Sequence, residues 1–290
     1  MSGFDEAWLA LREPIDHAAR SRSLAARFAA AQGPAPYVVD LGAGSGSNLR
    51  YLAPLLPPTQ RWLLVDHDPA LLAVAAHACT AGNVTCQVMD LARALPAGPG
   101  RTGVTAAALL DLTSAAWLDQ FARWCGDAPV LIALSVDGGL AWQPEDRDDD
   151  AIREHFFAHQ RANKGFGPAL GPAAAAHLTR RLEAAGRRVF LERSDWRLGP
   201  EHAPLLGATL DGMVAAVREI AGPSTYGRWA ALRRRQIVQG RCRLTVGHID
   251  LLASSPERAA PDVATATPSA RMSLRAAWSL RGRGASENAG

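Results

Sequence analysis

The chain has 290 residues, 48% of them hydrophobic, with 31 Lys+Arg against 28 Asp+Glu. That length is ample to bury a core, and a net charge of +3 is too small to argue for a nucleic-acid surface. Four cysteines (Cys79, Cys86, Cys125, Cys242) lack metal-ligand or redox spacing, the N-terminus lacks the basic-then-apolar layout of a secretory signal, and no uncharged apolar run is long enough to cross a bilayer, so a reducing cytoplasm is expected.

Residues from about Phe4 to Ala31 carry an apolar stripe at helical spacing: Trp8, Leu9, Leu11, Ile15, Leu24 and Phe28. Short apolar runs then alternate with helical segments. "YVVDLG" reads as a strand and Ser47 to Leu56 as a helix; "RWLLVD" is the next strand, and Pro69 opens a helix through Ala81. "VTCQVMD" and "VTAAALLD" are two more strands, followed by a helix from Ser114 to Cys125 and a fifth strand, "PVLIALSVDG". This alternation predicts a parallel sheet covered on both faces.

After Gly139 the rhythm changes. "QPEDRDDD" reads as an acidic loop, Ala151 to Arg161 as a helix, "NKGFGPALGP" as a turn-rich connection and Pro172 to Ala185 as a helix. "RRVFLERSDW" is a strand, helices follow near Pro204 to Ala221 and Ser224 to Gln239, and "RCRLTVGHIDLLA" is the last strand. Residues 254–290 are rich in Ala, Ser, Pro and Arg and read as a disordered tail, with "RMSLRAAWSLRGRG" able to form a short basic helix.

The loop after the first strand carries Gly42, Gly44 and Gly46. A dinucleotide fingerprint would place its third glycine one residue later, and Asp40, at the end of the strand, would repel a pyrophosphate. No Gly-Lys-Ser/Thr follows, so a Walker loop is excluded. An amine or a cation would suit Asp40. Two further acids end the next two strands: Asp66 in "LLVDHDP" and Asp90 in "CQVMDLARALP". Asp68, before Pro69, rivals Asp66 and is better read as a helix cap.

The run V-V-D-L-G-A-G-S-G resembles the first motif of the class I S-adenosylmethionine-dependent methyltransferases, and the resemblance extends over roughly Val38 to Ser135 in strand order. It implies S-adenosylmethionine as cofactor. It assigns Asp40, Gly42, Gly44 and Gly46 to the methionine end, Asp66 to the ribose with His67 beside the adenine, and Asp90 with Leu91 to the adenine ring. Asp111, after the fourth strand, takes the position that faces donor and acceptor, or simply caps a helix. In such enzymes a leading helix often covers the cofactor, which makes Arg20, and less so Arg12, a partner for the methionine carboxylate.

No Asn/Asp-Pro-Pro-aromatic motif and no Pro-Cys nucleophile is present, so DNA-base methylation is not expected. Acceptor candidates lie after the fifth strand. His155 and His159, four apart on one helical face, are followed by Gln160, Asn163 and Lys164, the chain's only lysine. His159 reads as a base or an orienting group, with capping and packing as the competing role; Asp111 is the other catalytic candidate. No third ligand accompanies the histidines, so no metal is expected. Trp142 and Trp196 are candidates for the pocket wall, and Glu145 to Asp150 for selecting a cationic acceptor.

The expectation is therefore an α/β, doubly wound, seven-stranded, mostly parallel sheet of Rossmann-like methyltransferase type with helical lid insertions. One domain spans residues 1–253: leading helices at 1–31, a cofactor core at 37–138, a lid and substrate region at 139–240 and a last, antiparallel strand at 241–253. The expected activity is methyl transfer to a small-molecule acceptor, without nucleic-acid or membrane partners. A cofactor-binding protein without turnover, or an RNA or protein methyltransferase docking through "RWAALRRRQ" and the tail, is the alternative.

Overall fold

The computed structural model describes residues 5–78, 83–98, 100–222 and 226–254. Two helices lead, α1 (Glu6–Ala19) and α2 (Arg22–Ala30). The single periodic stretch read from the sequence breaks between them because Ser21 adopts extended backbone and its hydroxyl accepts the Leu24 N–H at 3.0 Å, starting a new helix.

The sheet contains β1 (Tyr37–Leu41), β2 (Arg61–Asp66), β3 (Asn83–Val88), β4 (Gly103–Ala107), β5 (Val130–Gln143), β6 (Arg188–Arg193), β7 (Trp196–Leu198) and β8 (Arg243–Ser254). Their order is β3-β2-β1-β4-β5-β8-β6, with β7 also paired to β8. The first five are parallel; β8 is antiparallel to β5, β6 and β7. The expected antiparallel last strand is present, with one strand more than the seven expected. The stretch read as a single strand from Arg187 is divided at Ser194 and Asp195. There the Asp195 carboxylate accepts from the His248 amide at 3.2 Å and from Arg193 at 2.6 Å.

The remaining helices are α3 (Ser47–Leu52), α4 (Pro69–Ala78), α5 (Ala115–Cys125), α6 (Asp149–Gln160), α7 (Ala174–Ala184), α8 (Ala203–Ala221) and α9 (Gly227–Val238). Strand alternation builds two cores. Val39, Leu63, Val65, Val104, Ile132 and Leu251 pack under α5 and α7. Their neighbours in sequence, Val38, Trp62, Leu64, Leu131 and Leu252, pack under α2, α3 and α4. Both faces are thus covered, as a parallel sheet requires. A third cluster, with Trp142, Trp196, Leu206, Leu210 and Trp229, joins the distal ends of β5 and β8 to α6, α8 and α9.

The fifth strand does not stop at Gly139: β5 continues to Gln143, paired with Arg243 of β8. Register shifts between Ile132 and Ser135 and between Val136 and Leu140 absorb the irregular residues, so the glycines at 138 and 139 bend the strand without ending it. The helix expected from Ser47 to Leu56 closes as α3 followed by a 3-10 turn, Ala53–Leu55, with Pro54 inside it. The tail reading falls on residues 255–290, and Cys79, Ala81 and Ser224 also lie outside the described residues; Ser254 ends β8. Among the described residues no helix is long and apolar enough to cross a membrane.

Candidate active site

The strand order reverses between β1 and β4, and a cleft of ≈ 350 Å³ opens at the carboxyl ends of the strands there. Its floor is the glycine loop. Gly42, Gly44 and Gly46 all have positive φ, at +66°, +51° and +85°. The Gly42 and Ala43 amides donate to Val65 O at 2.8 and 3.1 Å, fixing the loop to β2. Gly42 and Gly44 line the cleft; Gly46 instead starts α3 against α4. A Cβ at Gly46 would lie 3.0 Å from Ala75 Cβ and 3.3 Å from Ala75 Cα, on a left-handed backbone. Gly46→Ala is expected to cost about 2 kcal/mol in a denaturant titration, through strain and displacement of α4.

A buried polar chain runs behind one end of the loop. Arg20, 5% exposed, donates from Nη1 to Asn48 Oδ1 at 2.6 Å and stacks over the Tyr51 ring at 4.1 Å. Asn48 Nδ2 in turn donates to Asp40 Oδ1 at 2.7 Å and reaches Thr105 Oγ1 at 2.9 Å. Arg20 and Asn48 line the cleft, whereas Asp40 is fully buried behind Asn48. Arg20 Nε and Nη2 and Asp40 Oδ2 have no partner among the described residues. Burial pushes the Asp40 carboxyl up to about 7, against the lowering effects of Asn48 and Arg20. Arg12, the other arginine singled out, is neutralised: it grips Asp16 through Nε at 2.8 Å and Nη2 at 3.2 Å, and Trp196 Nε1 donates to the same carboxylate.

Asp66 lies on the cleft wall, 7% exposed. Its Oδ2 accepts the Gly44 N–H at 2.8 Å and its Oδ1 the Asp68 N–H at 3.0 Å, so it braces the glycine loop. His67 is on the wall with its Nδ1 3.2 Å from Asp66 Oδ1. Asp68 accepts the Ala70 and Leu71 amides at 2.8 and 3.3 Å, capping α4. Asp90 and Leu91 also line the cleft; Asp90 is open to solvent beside Arg93, and Leu91 O accepts Trp117 Nε1 at 2.7 Å.

The end of β4 and the first bulge of β5 reach the cleft through strained backbone. Ala108 and Leu134 have φ of +51° and +56°, rare for residues with a Cβ, and both are wall residues. Leu134 is the bulge of the first register shift; its N–H donates to Asp250 Oδ1 at 2.8 Å, and Asp250 Oδ2 takes the Ser21 N–H at 2.8 Å. One buried carboxylate thus joins the bulge to the junction of α1 and α2. Asp111 lies in the 3-10 turn Leu110–Leu112, next to Leu109 and Leu112 of the wall but outside it. Burial pushes its carboxyl up to about 6, and its Oδ1 has no partner among the described residues.

From the loop after α6, Lys164, Gly165 and Phe166 form one side of the cleft. His159 lies behind them, its Nε2 3.0 Å from Glu219 Oε2 and its Nδ1 3.3 Å from Lys164 Nζ. Asn163 holds the loop by accepting the Gly165 and Gly167 amides. His155 faces the Tyr226 hydroxyl at 3.4 Å, Gln160 is half-buried at the end of α6, and neither lines the cleft. Trp142 is buried edge-on to Trp229 in the distal core. The acidic loop is internally compensated: Arg228 binds Asp146 and Asp148, Arg233 binds Asp149, and Asp150 pairs with Arg153. It offers little charge for selecting a cation. No group of metal-ligating residues occurs among the described residues.

Asn48, Asp16, His17, Leu134 and Phe166 are wall residues that sequence reasoning missed. Asn48 left one signal, an amide one residue into the helix after the glycine loop. His17, reaching Ser47 Oγ at 3.0 Å, left none.

Residues 38–127 match the family model described as a methyltransferase domain. Among solved structures, the YcgJ protein of Bacillus subtilis is 13% identical, with 87% of this chain and 99% of that one covered at a TM-score of 0.47. The cyclopropane synthase MmaA2 of Mycobacterium tuberculosis is 12% identical, with 87% and 95% covered at 0.45. The plantazolicin methyltransferase BpumL in complex with S-adenosylhomocysteine is also 12% identical, with 86% and 88% covered at 0.45. No curated protein matches the sequence. The matched segment, residues 38–127, runs from β1 through α5 and carries the glycine loop that floors the cleft. That segment is similar to a methyltransferase domain, which makes S-adenosylmethionine the cofactor to test against the cleft.

The cleft fits that molecule. Arg20 Nε and Nη2, buried at the wall and without partners among the described residues, suit the carboxylate of its amino-acid end; Asp40 is behind Asn48 and off the wall.

Proposed function

We propose that the protein methylates a small-molecule acceptor. The observation that carries this reading is the lid. The loop bearing Lys164 and Phe166 walls one side of the cleft and is tied down by the Leu170 N–H on Thr113 O at 2.9 Å and by Phe166 edge-on to Trp117 at 5.4 Å. A cleft of this size, walled on that side, suits a compact acceptor. The basic stretch considered for docking is largely spent on acids, with Arg228, Arg233 and Arg234 all in ion pairs. The free cysteines Cys86, Cys125 and Cys242 suit a reducing cytoplasm as the setting.

In this reading Arg20 holds the carboxylate of the cofactor's amino-acid end, Asp40 supports its ammonium through Asn48 or water, and Gly42 and Gly44 let the loop backbone approach the cofactor. Asp66 receives the ribose hydroxyls, His67 flanks the adenine, and Asp90 with the Leu91 amide serves the ring. Bound S-adenosylmethionine supplies an activated methyl group on a good leaving group. The chain's own contribution is alignment and exclusion of water, from Leu109, Leu134 and Phe166. Asp111, outside the wall, supports the 3-10 turn that carries Leu112 to the cleft beside Leu109. His159 orients Lys164 from behind, and His155, Gln160 and Asn163 shape the lid. Trp142 supports it from the core.

The test is transfer of labelled methyl from S-adenosylmethionine into a cell extract separated by size. Label in the small-molecule fraction is expected; label confined to RNA or protein would overturn the reading.

Asp40 adds a pH signature. Its raised pKa leaves it half-protonated near pH 7 in the free protein, and a ligand ammonium favours the ionised form. Affinity for S-adenosylhomocysteine should rise by about tenfold from pH 6 to pH 8 and then level off. Asp40→Asn should bind more weakly with a flat profile in calorimetry. The linked stability effect has the opposite sign: the folded protein binds more protons than the unfolded chain between about pH 4 and pH 7, so this group's contribution falls as pH rises through that window.

A further inference from the structure

We infer that the acceptor is an apolar molecule bearing an anionic group, a carboxylate or a phosphate, and that Lys164 receives that group. The inference rests on the reading of the cleft as a donor and acceptor site.

The first ground is charge balance on the wall. Each wall carboxylate is already engaged. Asp16 holds Arg12 and Trp196, Asp66 holds the amides of Gly44 and Asp68, and Asp90 holds Arg93 and the Ala92 amide. Two wall cations have no carboxylate within ion-pair distance among the described residues, Arg20 and Lys164. Arg20 is beside Asn48 at the amino-acid end of the cleft. Lys164 is on the lid loop, so one cation is left for the acceptor.

The second ground is how Lys164 is held. Its Nζ approaches His159 Nδ1 at 3.3 Å, and His159 is fixed from the other side by Glu219 at 3.0 Å. Nζ is also 3.4 Å from His159 Nε2, so the ammonium rests over the imidazole ring that Glu219 fixes. Around it, Asn163 accepts two loop amides at 2.8 and 3.1 Å, and Phe166 bridges to Thr113. The ammonium is therefore presented by a fixed loop, which lowers the ordering cost of binding an anion. Glu219 is mostly exposed and 3.0 Å from His159, so it orients the histidine without closing on the lysine.

The third ground is the apolar wall beside it. Leu9, Leu109, Leu112, Leu134 and Phe166 leave few polar groups for an acceptor. An apolar body with one anionic end matches this surface; a cationic or polyhydroxylated acceptor does not.

The test titrates the full chain, saturated with S-adenosylhomocysteine, with octanoate, octyl phosphate and octylammonium by calorimetry. Wild type should bind one of the anions at least about tenfold more tightly than octylammonium. Lys164→Gln should lose most of that preference while binding S-adenosylhomocysteine within about twofold of wild type, and Lys164→Arg should keep it. Octanoate above octyl phosphate identifies a carboxylate acceptor, and the reverse order a phosphate. Absence of an anion preference in wild type, or its survival in Lys164→Gln, would overturn the inference. Failure of wild type to bind S-adenosylhomocysteine would strike the donor reading instead. The drop in preference from wild type to Lys164→Gln, measured without that ligand, still decides the role of Lys164.

Discussion

Arg20→Met should weaken S-adenosylhomocysteine binding by about 100-fold or more while leaving the protein as stable as before, or slightly more so. The reason is an imbalance in the free protein. Arg20 is 5% exposed, yet its hydrogen bond is to a neutral amide, Asn48, and two of its nitrogens have no partner among the described residues. Burial pulls its guanidinium pKa down, with Asp250 pulling it back only through space. A cation held this way is costly until a carboxylate arrives. Methionine fills similar space over Tyr51 without the charge, so folding does not suffer. A residue with a purely structural role would show the reverse pattern, lost stability with retained affinity. Unchanged affinity in Arg20→Met would place the ligand's carboxylate elsewhere.

Asp66→Ala should also cost about 100-fold in affinity, for a different reason. Asp66 braces the cleft floor through the Gly44 amide and presents its remaining lone pairs to the cavity. Alanine removes the receptor for a pair of hydroxyls and frees Gly44 together. Melting should fall modestly, since the Gly44 and Asp68 amides are left to water. Asp66→Asn separates the two effects: its one carbonyl oxygen can still brace the loop, but the amide cannot accept two hydroxyls, so stability recovers more than affinity. Intact affinity in Asp66→Ala would hand the ribose to Asp68, whose carboxylate is already used as the cap of α4.

Much of this architecture was legible in the order of residues. Val38 and Val39, or Leu64 and Val65, alternate between two cores because a strand shows successive side chains to opposite faces. Glycines at alternate positions signalled left-handed backbone, and Asp66 and Asp90 announced themselves by ending apolar runs. What stayed hidden depends on contacts distant in sequence. The bulge at Leu134 exists because Asp250 accepts its amide across 116 positions, and the same carboxylate reaches 229 positions back to Ser21. The neutralised acidic loop needed α9, whose arginines lie some 80 positions downstream of Asp148. Trp142 looked free to wall a pocket until β8 and α9 enclosed it. Asp40 was placed correctly at the end of β1, but that Asn48 stands between it and the cleft is set by how α3 leaves the glycine loop.

The central claim is that the glycine cleft is a site for S-adenosylmethionine. Calorimetric titration of the wild-type full chain with S-adenosylhomocysteine, and separately with NAD, tests it most directly. The structure predicts a single saturable site for S-adenosylhomocysteine and no binding of NAD, whose pyrophosphate at the glycine loop would lie beside the Asp66 carboxylate. No heat with S-adenosylhomocysteine at any pH from 6 to 8, or tighter binding of NAD, would contradict it.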